Sequence, residues 1–224
     1  MYLFLISSKT HRFSHALFQL WAKVFFFISG LWIKKEYRYK PEPKKTYVFV
    51  ANHFSYLDIA VGMGIIDHNF AFVGKSSVSK MPLLGYLFKK LHIAVDRGDK
   101  NSRSKTLVRG IKSLARGKSI FIMPEGGILS TNIPKMHQPL KDGPFVMAVE
   151  NGVPIIPITF KNLYDIMPKT TIKGGRPHVI FHEAIETKGL NKKDIPMLKE
   201  RVYNTIQGEL DAFYKMAPTP FVEK

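Results

Sequence analysis

Five short apolar runs, each closed by a polar or glycine-bearing turn, constrain this chain more than any other feature. They are Tyr47–Ala51, Phe70–Val73, Leu91–Val95, Ser119–Met123 and Pro154–Phe160. Runs of this length, rich in Val, Ile and Phe, read as strands buried in a sheet. The stretches between them carry helical signals. Ser104–Arg116 repeats Leu107, Val108, Ile111 and Leu114 before Gly117, and Asp142-Gly143-Pro144 opens a helix that stops at Asn151-Gly152. Ser79–Lys90, with Pro82 and Gly85 inside it, suggests a short helix over a groove. His178–Glu183 adds a further strand and Ile195–Met216 an amphipathic helix. Strand and helix alternate throughout, which predicts an α/β fold with a mostly parallel sheet flanked by helices.

Parallel strands end at one edge, and open α/β folds bind their ligands there. Three of the runs end in charged or polar turns that hold His53, Arg97 and Glu125. The first of these turns reads Asn52-His53-Phe54-Ser55-Tyr56-Leu57-Asp58. Ser55 can N-cap the helix that follows, which puts Asp58 in its first turn at N3 and lets it point back at His53. A carboxylate beside an imidazole fixes its tautomer and stabilises the imidazolium, so the pair can act as a general base on a hydroxyl. Spacing alone does not establish this. His137 and Asp142 show the same interval, yet Pro139 lies between them and no strand leads in, so that pair reads as a loop followed by an N-cap. For His53 the competing reading is a helix-capping loop with a hydrogen-bonded imidazole.

The chain has 224 residues, enough for one sizeable domain or a domain with an appendage. It contains no cysteine, which excludes disulfides, thiolate nucleophiles and Cys-based zinc sites. Its formal charge of +17 calls for an anionic partner. Residues 1–40 narrow the choice. Phe13–Ile33 is apolar but broken by His15, Gln19 and Lys23, and Lys34, Lys35, Arg38, Lys40, Lys44 and Lys45 follow it. That pattern predicts a helical arm at 1–40 lying in the interface of an anionic membrane, on its cytoplasmic face, with the catalytic α/β domain at 41–224. A single tilted span is the alternative. No zinc-finger or RRM signature is present, so nucleic acid is not the expected partner.

Read together, Asn52-His53-x4-Asp58, Lys75 with Pro82-Leu83-Leu84-Gly85, Val95-Asp96-Arg97, Pro124-Glu125-Gly126, Lys141-x-Gly143 and Val153-Pro154-Ile155-Ile156-Pro157 resemble, in order, the blocks of the lysophosphatidate (1-acylglycerol-3-phosphate) acyltransferase family. The resemblance covers about residues 45–160. It implies acyl transfer from a thioester, on coenzyme A or acyl carrier protein, to the free hydroxyl of a lysolipid. His53 would be the base and Asp58 its orienting partner. Asn52, Ser55, Lys75, Arg97, Glu125, Gly126 and Lys141 would form the acceptor site, with Arg97 and Lys75 on the phosphate and the Val153–Pro157 block on the acyl or donor side. No metal and no resident cofactor are implied, since a thioester is already activated and a base with a positioned alcohol suffices. One departure stands out. The family usually carries Thr or Ser after Glu-Gly, and then often Arg, where this chain has Gly127 and Ile128. Lysophosphatidate is therefore the expected acceptor, and another lysolipid, such as a lyso-amino-acid lipid, is the alternative. A non-catalytic basic membrane- or nucleic-acid-binding protein is the more distant one.

Overall fold

The computed structural model describes residues 20, 22–77, 88 and 90–222. Its strands are β1 (Lys34–Tyr37), β2 (Val48–Ala51), β3 (Phe70–Lys75), β4 (Ile93–Val95), β5 (Ser119–Ile122), β6 (Ile155–Phe160) and β7 (His178–Phe181). Among the described residues they form one sheet in the order β1-β7-β6-β2-β5-β3-β4. From β6 to β4 every pairing is parallel, whereas β7 runs antiparallel to β6 and carries β1 parallel to itself. β2 lies between β6 and β5 and is buried at all four positions, which is why its sequence is continuously apolar.

Helices cover both faces. On one, α1 (Leu57–Ile65), the helical residues 22–28 and the short α4 (Leu163–Ile166) pack on Phe49, Phe121, Ile156 and Phe160. On the other, α2 (Lys100–Ala115), α3 (Gly143–Asn151) and α5 (Ile195–Phe213) pack on Val48, Val50, Ile120 and Ile155. Alternate residues of β2 feed the two clusters, as the strand period requires.

The structure corrects several boundaries and one assignment. α2 begins at Lys100, four residues earlier than Ser104, because the Asp99 side chain accepts from Asn101 N at 2.9 Å and Ser102 N at 3.1 Å. The boundary residue of α1 is Tyr56, one later than expected, and it makes no side-chain cap; Ser55 still caps the helix, its Oγ accepting from Leu57 N at 3.1 Å while donating to Met167 O at 2.6 Å. Asp142 does occupy an N-cap, without a side-chain bond to its helix, and pairs with Lys199 at 3.0 Å. Lys34 and Lys35, expected in the basic tail of the arm, start the edge strand β1. The helix expected at Ser79–Lys90, with Pro82 to Gly85, lies largely outside the described residues, as does the arm before residue 20. No helix among the described residues is long and apolar enough to cross a membrane.

Candidate active site

β2 ends at Ala51, and the next two side chains are held in place by different means. Asn52 pairs with the main chain of Phe160, donating to its carbonyl at 3.0 Å and accepting from its N–H at 2.8 Å. This pair of hydrogen bonds ties the end of β2 to the end of β6 and fixes where His53 begins. His53 is buried, and its Nδ1 lies 3.1 Å from Asp58 Oδ2. The same carboxylate oxygen accepts from Phe54 N at 2.7 Å and Ser55 N at 2.8 Å. Asp58 thus folds the turn and orients the imidazole with one atom. Because both backbone partners are donors only, an ionised Asp58 takes the proton-bearing Nδ1 as a third donor and leaves Nε2 free to accept. Asp58 Oδ1 has no hydrogen-bond partner among the described residues. Burial drives the Asp58 carboxyl above its ordinary pKa, and the His53 ring and the two N–H groups pull against that rise.

Glu125, after β5, braces the turn from the other side. Its Oε1 accepts from His53 N at 2.6 Å and its Oε2 from His137 N at 2.8 Å. Burial pushes this carboxyl up to about 8, against the pull of both N–H groups. Sequence placed Glu125 at the sheet edge, but nothing in it marked the side chain as a clasp on His53 and on His137, 12 residues beyond Glu125 itself. The loop beyond it stays close by, with Lys141 N donating to Pro124 O at 2.8 Å. Gly126 holds φ +83°, a conformation open to glycine, and a Cβ there would meet the Lys141 stem at 3.4 Å.

Arg97 reaches this loop from β4. A Cβ at Gly127 would come within 3.0 Å of Arg97 Nη1, so a side chain at 127 would crowd the guanidinium. Lys75 is exposed at the end of β3, in register with Val95, two residues before Arg97. Among the described residues, Arg97, Lys75 and Lys141 form no side-chain hydrogen bond or ion pair, which leaves cations at the edge that holds His53.

The structure therefore gathers Asn52, His53, Ser55, Asp58, Glu125 and Gly126 into one bonded turn system, with Lys141 and Arg97 beside Gly126 and Gly127 and Lys75 at the end of β3 on the same sheet edge. The Val153–Pro157 block lies elsewhere. Its last three residues open β6, where Ile155 to Pro157 pair with Val48 to Val50. It supports the strand that carries His53 from alongside, as its hydrogen-bonded neighbour in the sheet. Among the described residues, no group of three or more His, Asp or Glu is placed to hold a metal ion.

Comparison with known proteins follows the same segment. A family model described as Acyltransferase matches residues 33–161. A 1-acyl-sn-glycerol-3-phosphate acyltransferase of Chlamydomonas reinhardtii is 30% identical over 149 residues, covering 65% of this chain and 44% of that protein. One of Saccharomyces cerevisiae is 30% identical over 164 residues, covering 71% and 54%. The chain spans about half the length of these curated relatives. The crystal structure of the 1-acyl-sn-glycerophosphate (LPA) acyltransferase of Thermotoga maritima superposes with a TM-score of 0.77 over 97% of this chain and 88% of that one. At 19% identity, that likeness is one of fold.

Proposed function

Since the chain belongs to the acyltransferase family, we propose that it moves a fatty acyl group from an acyl thioester to the free hydroxyl of lysophosphatidate, giving phosphatidate. The observation that carries this reading is the His53–Asp58 pair at the sheet edge, with Arg97, Lys75 and Lys141 around it. The matched relatives named 1-acyl-sn-glycerol-3-phosphate acyltransferases support the choice of acceptor.

In this reading Asp58 holds the proton on Nδ1, and Nε2 takes the proton of the acceptor hydroxyl as its oxygen attacks the thioester carbonyl. The tetrahedral intermediate collapses with loss of the thiolate. The imidazolium, stabilised by Asp58, then returns its proton to the leaving sulfur, which restores the base. Arg97, with Lys75 and Lys141, balances the acceptor's phosphate. Coenzyme A or acyl carrier protein serves as co-substrate.

The enzyme would work at the surface of an anionic membrane. Phe27 is 69% exposed, Ile28 78% and Trp32 64%, beside a groove of about 480 Å³ that Lys23 and Lys35 also line. Apolar side chains between lysines fit a headgroup boundary.

A second acceptor has an observation in its favour. One guanidinium, Arg97, faces the Gly127 turn, and Ile128 supplies none, so a lysolipid with a less highly charged headgroup, such as a single amino-acid carboxylate, also fits. The test is mass spectrometry of products from a mixed lysolipid pool supplied with acyl-CoA or acyl carrier protein. Phosphatidate as the main product is expected. Preferential acylation of an amino-acid lysolipid selects the second acceptor, and no acylated product from any lysolipid overturns the reading.

A further inference from the structure

Helix α2 is the most basic element of the described fold. From Lys100 to Lys118 the chain has seven Lys or Arg residues and no Asp or Glu. Thr106, Gly110 and Leu114 form its buried side, against the sheet and α3. Lys105, Arg109, Lys112 and Arg116 follow at intervals of four, three and four residues, which sets them in one stripe on the outer side. All four are exposed, and none pairs with a carboxylate among the described residues. Like charges at these intervals repel along a helix, so the stripe does not serve the helix's own stability. Val108, 48% exposed, lies in the adjoining row between Lys105 and Lys112. One apolar side chain is far less than the Phe27, Ile28 and Trp32 surface offers to lipid, so this face is chiefly a charged one.

The stripe does not share a face with the apolar surface described above. Residues 22–28 pack on α1, where a Cβ at Gly64 would meet Phe26 at 3.0 Å and Ala22 at 3.1 Å, whereas α2 packs on the opposite face of the sheet. With Phe27, Ile28 and Trp32 set on lipid, α2 looks towards solvent. Its amino end also abuts the active site, since Arg103 donates to Arg97 O at 2.7 Å. A partner lying along α2 therefore has the catalytic edge at one end, within reach of a group on a tether.

We propose that the Lys105–Arg109–Lys112–Arg116 stripe docks the acyl donor, and that this donor is a small acidic protein bearing the chain as a thioester. Acyl carrier protein has that chemistry. Docking the donor rests on the acyl-transfer reading above; the binding surface does not. Coenzyme A is also anionic, but it is a small ligand with no face to match a stripe more than two helical turns long.

Two measurements on the full chain test this. In the first, purified holo acyl carrier protein is titrated onto the wild type and onto the triple variant Lys105→Glu, Arg109→Glu, Lys112→Glu, without lysolipid. In the second, transfer is measured from hexadecanoyl carrier protein and from hexadecanoyl-CoA. Charge reversal should weaken carrier binding and raise the carrier KM about tenfold or more, and leave the KM for the CoA donor within about twofold. Raising salt from about 50 to 200 mM should weaken wild-type carrier binding and not that of the variant. Circular dichroism and anionic-vesicle pelleting should not change. Unaltered carrier binding, equal losses with both donors, or loss of vesicle pelleting would each overturn the proposal. Carrier binding that depends on the stripe, without transfer from either donor, would keep the docking surface and overturn the transfer reading.

Discussion

Three hydrogen bonds converge on Asp58 Oδ2, and only one of them comes from the imidazole. Replacing the carboxylate by an amide therefore separates hydrogen bonding from charge. An asparagine oxygen in the Oδ2 place can accept all three bonds, but it is neutral and no longer stabilises the imidazolium, and the flipped amide faces Nδ1 and both N–H groups with a donor. Asp58→Asn should lower kcat by about 10²–10⁴-fold with little change in either KM, measured by steady-state transfer from a thioester. A normal kcat would remove Asp58 from the mechanism. Arg97 carries the second residue-scale expectation. If it meets the acceptor phosphate with a forked, charge-assisted contact, Arg97→Ala should cost about 1.5–3 kcal/mol, read as a roughly ten- to hundredfold rise in the lysophosphatidate KM. Arg97→Lys should recover part of that, because lysine brings the charge without the fork. An unchanged KM would point to the other lysolipid acceptor.

At the scale of elements, close packing rather than polar contact sets where the helices lie. Gly62 on α1 sits against the Phe121 ring of β5, closer than any Cβ can approach. Gly62→Ala should therefore push α1, and Asp58 with it, away from the sheet. Overpacking of this kind costs about 1–3 kcal/mol, so urea unfolding should show a lower midpoint at unchanged slope, together with reduced kcat. Full stability would show that the ring moves aside without strain. The helical residues 22–28 differ in that one side is buried through Ala22 and Phe26 while the other is bare. Phe27→Ser with Ile28→Ser should weaken pelleting with anionic vesicles by about 1.5–3 kcal/mol per side chain at most, and leave the unfolding midpoint unaltered. Undiminished pelleting would separate this surface from lipid.

Across the whole molecule, the buried Glu125 and the half-buried Lys118 oppose each other in pH. Burial raises Glu125 from 4.5 to about 8, so the folded state holds its proton more tightly than the unfolded chain does. Its charge opposes folding above about 8, and that cost is relieved as pH falls through the window towards 4.5. Desolvation lowers Lys118 from 10.5 to about 8, while its ammonium donates to Leu91 O at 2.7 Å. Its charge opposes folding below about 8, and the cost is relieved as pH rises towards 10.5. Stability should pass through a minimum near pH 8, each limb sloping by no more than about 1.4 kcal/mol per pH unit. Urea midpoints across the range would show the minimum, and Lys118→Met should flatten the alkaline limb alone. A monotonic profile would contradict both assignments.

Periodicity and strand-end chemistry are written into the chain locally. Continuous Val, Ile and Phe runs bury on both faces wherever they pair, so the parallel sheet and the placing of His53, Arg97 and Glu125 at one edge are legible before any contact is known. The His53–Asp58 meeting is legible too, because a strand end followed at once by a helix start turns the two side chains towards each other, which the same interval at His137–Asp142, broken by Pro139, does not do. Other features depend on residues far apart in the chain. The hydroxyl of Ser55, a cap by its place in the sequence, caps Leu57 N and also donates to Met167, 112 residues away, and the strand of Lys34–Tyr37 exists because β7 offers it an edge. Glu125 reads as a loop carboxylate until His53 N and His137 N close on its two oxygens. Gly127 reads as a missing hydroxyl, and the fold sets it against the Arg97 guanidinium. Sequence alone determined six of the seven described strands, the edge and the meeting of His53 with Asp58, since each follows from a local pattern. Which groups clasp, crowd or stay unpaired was decided only by the tertiary structure, because hydrogen-bond satisfaction and close packing are settled by whatever the fold brings alongside.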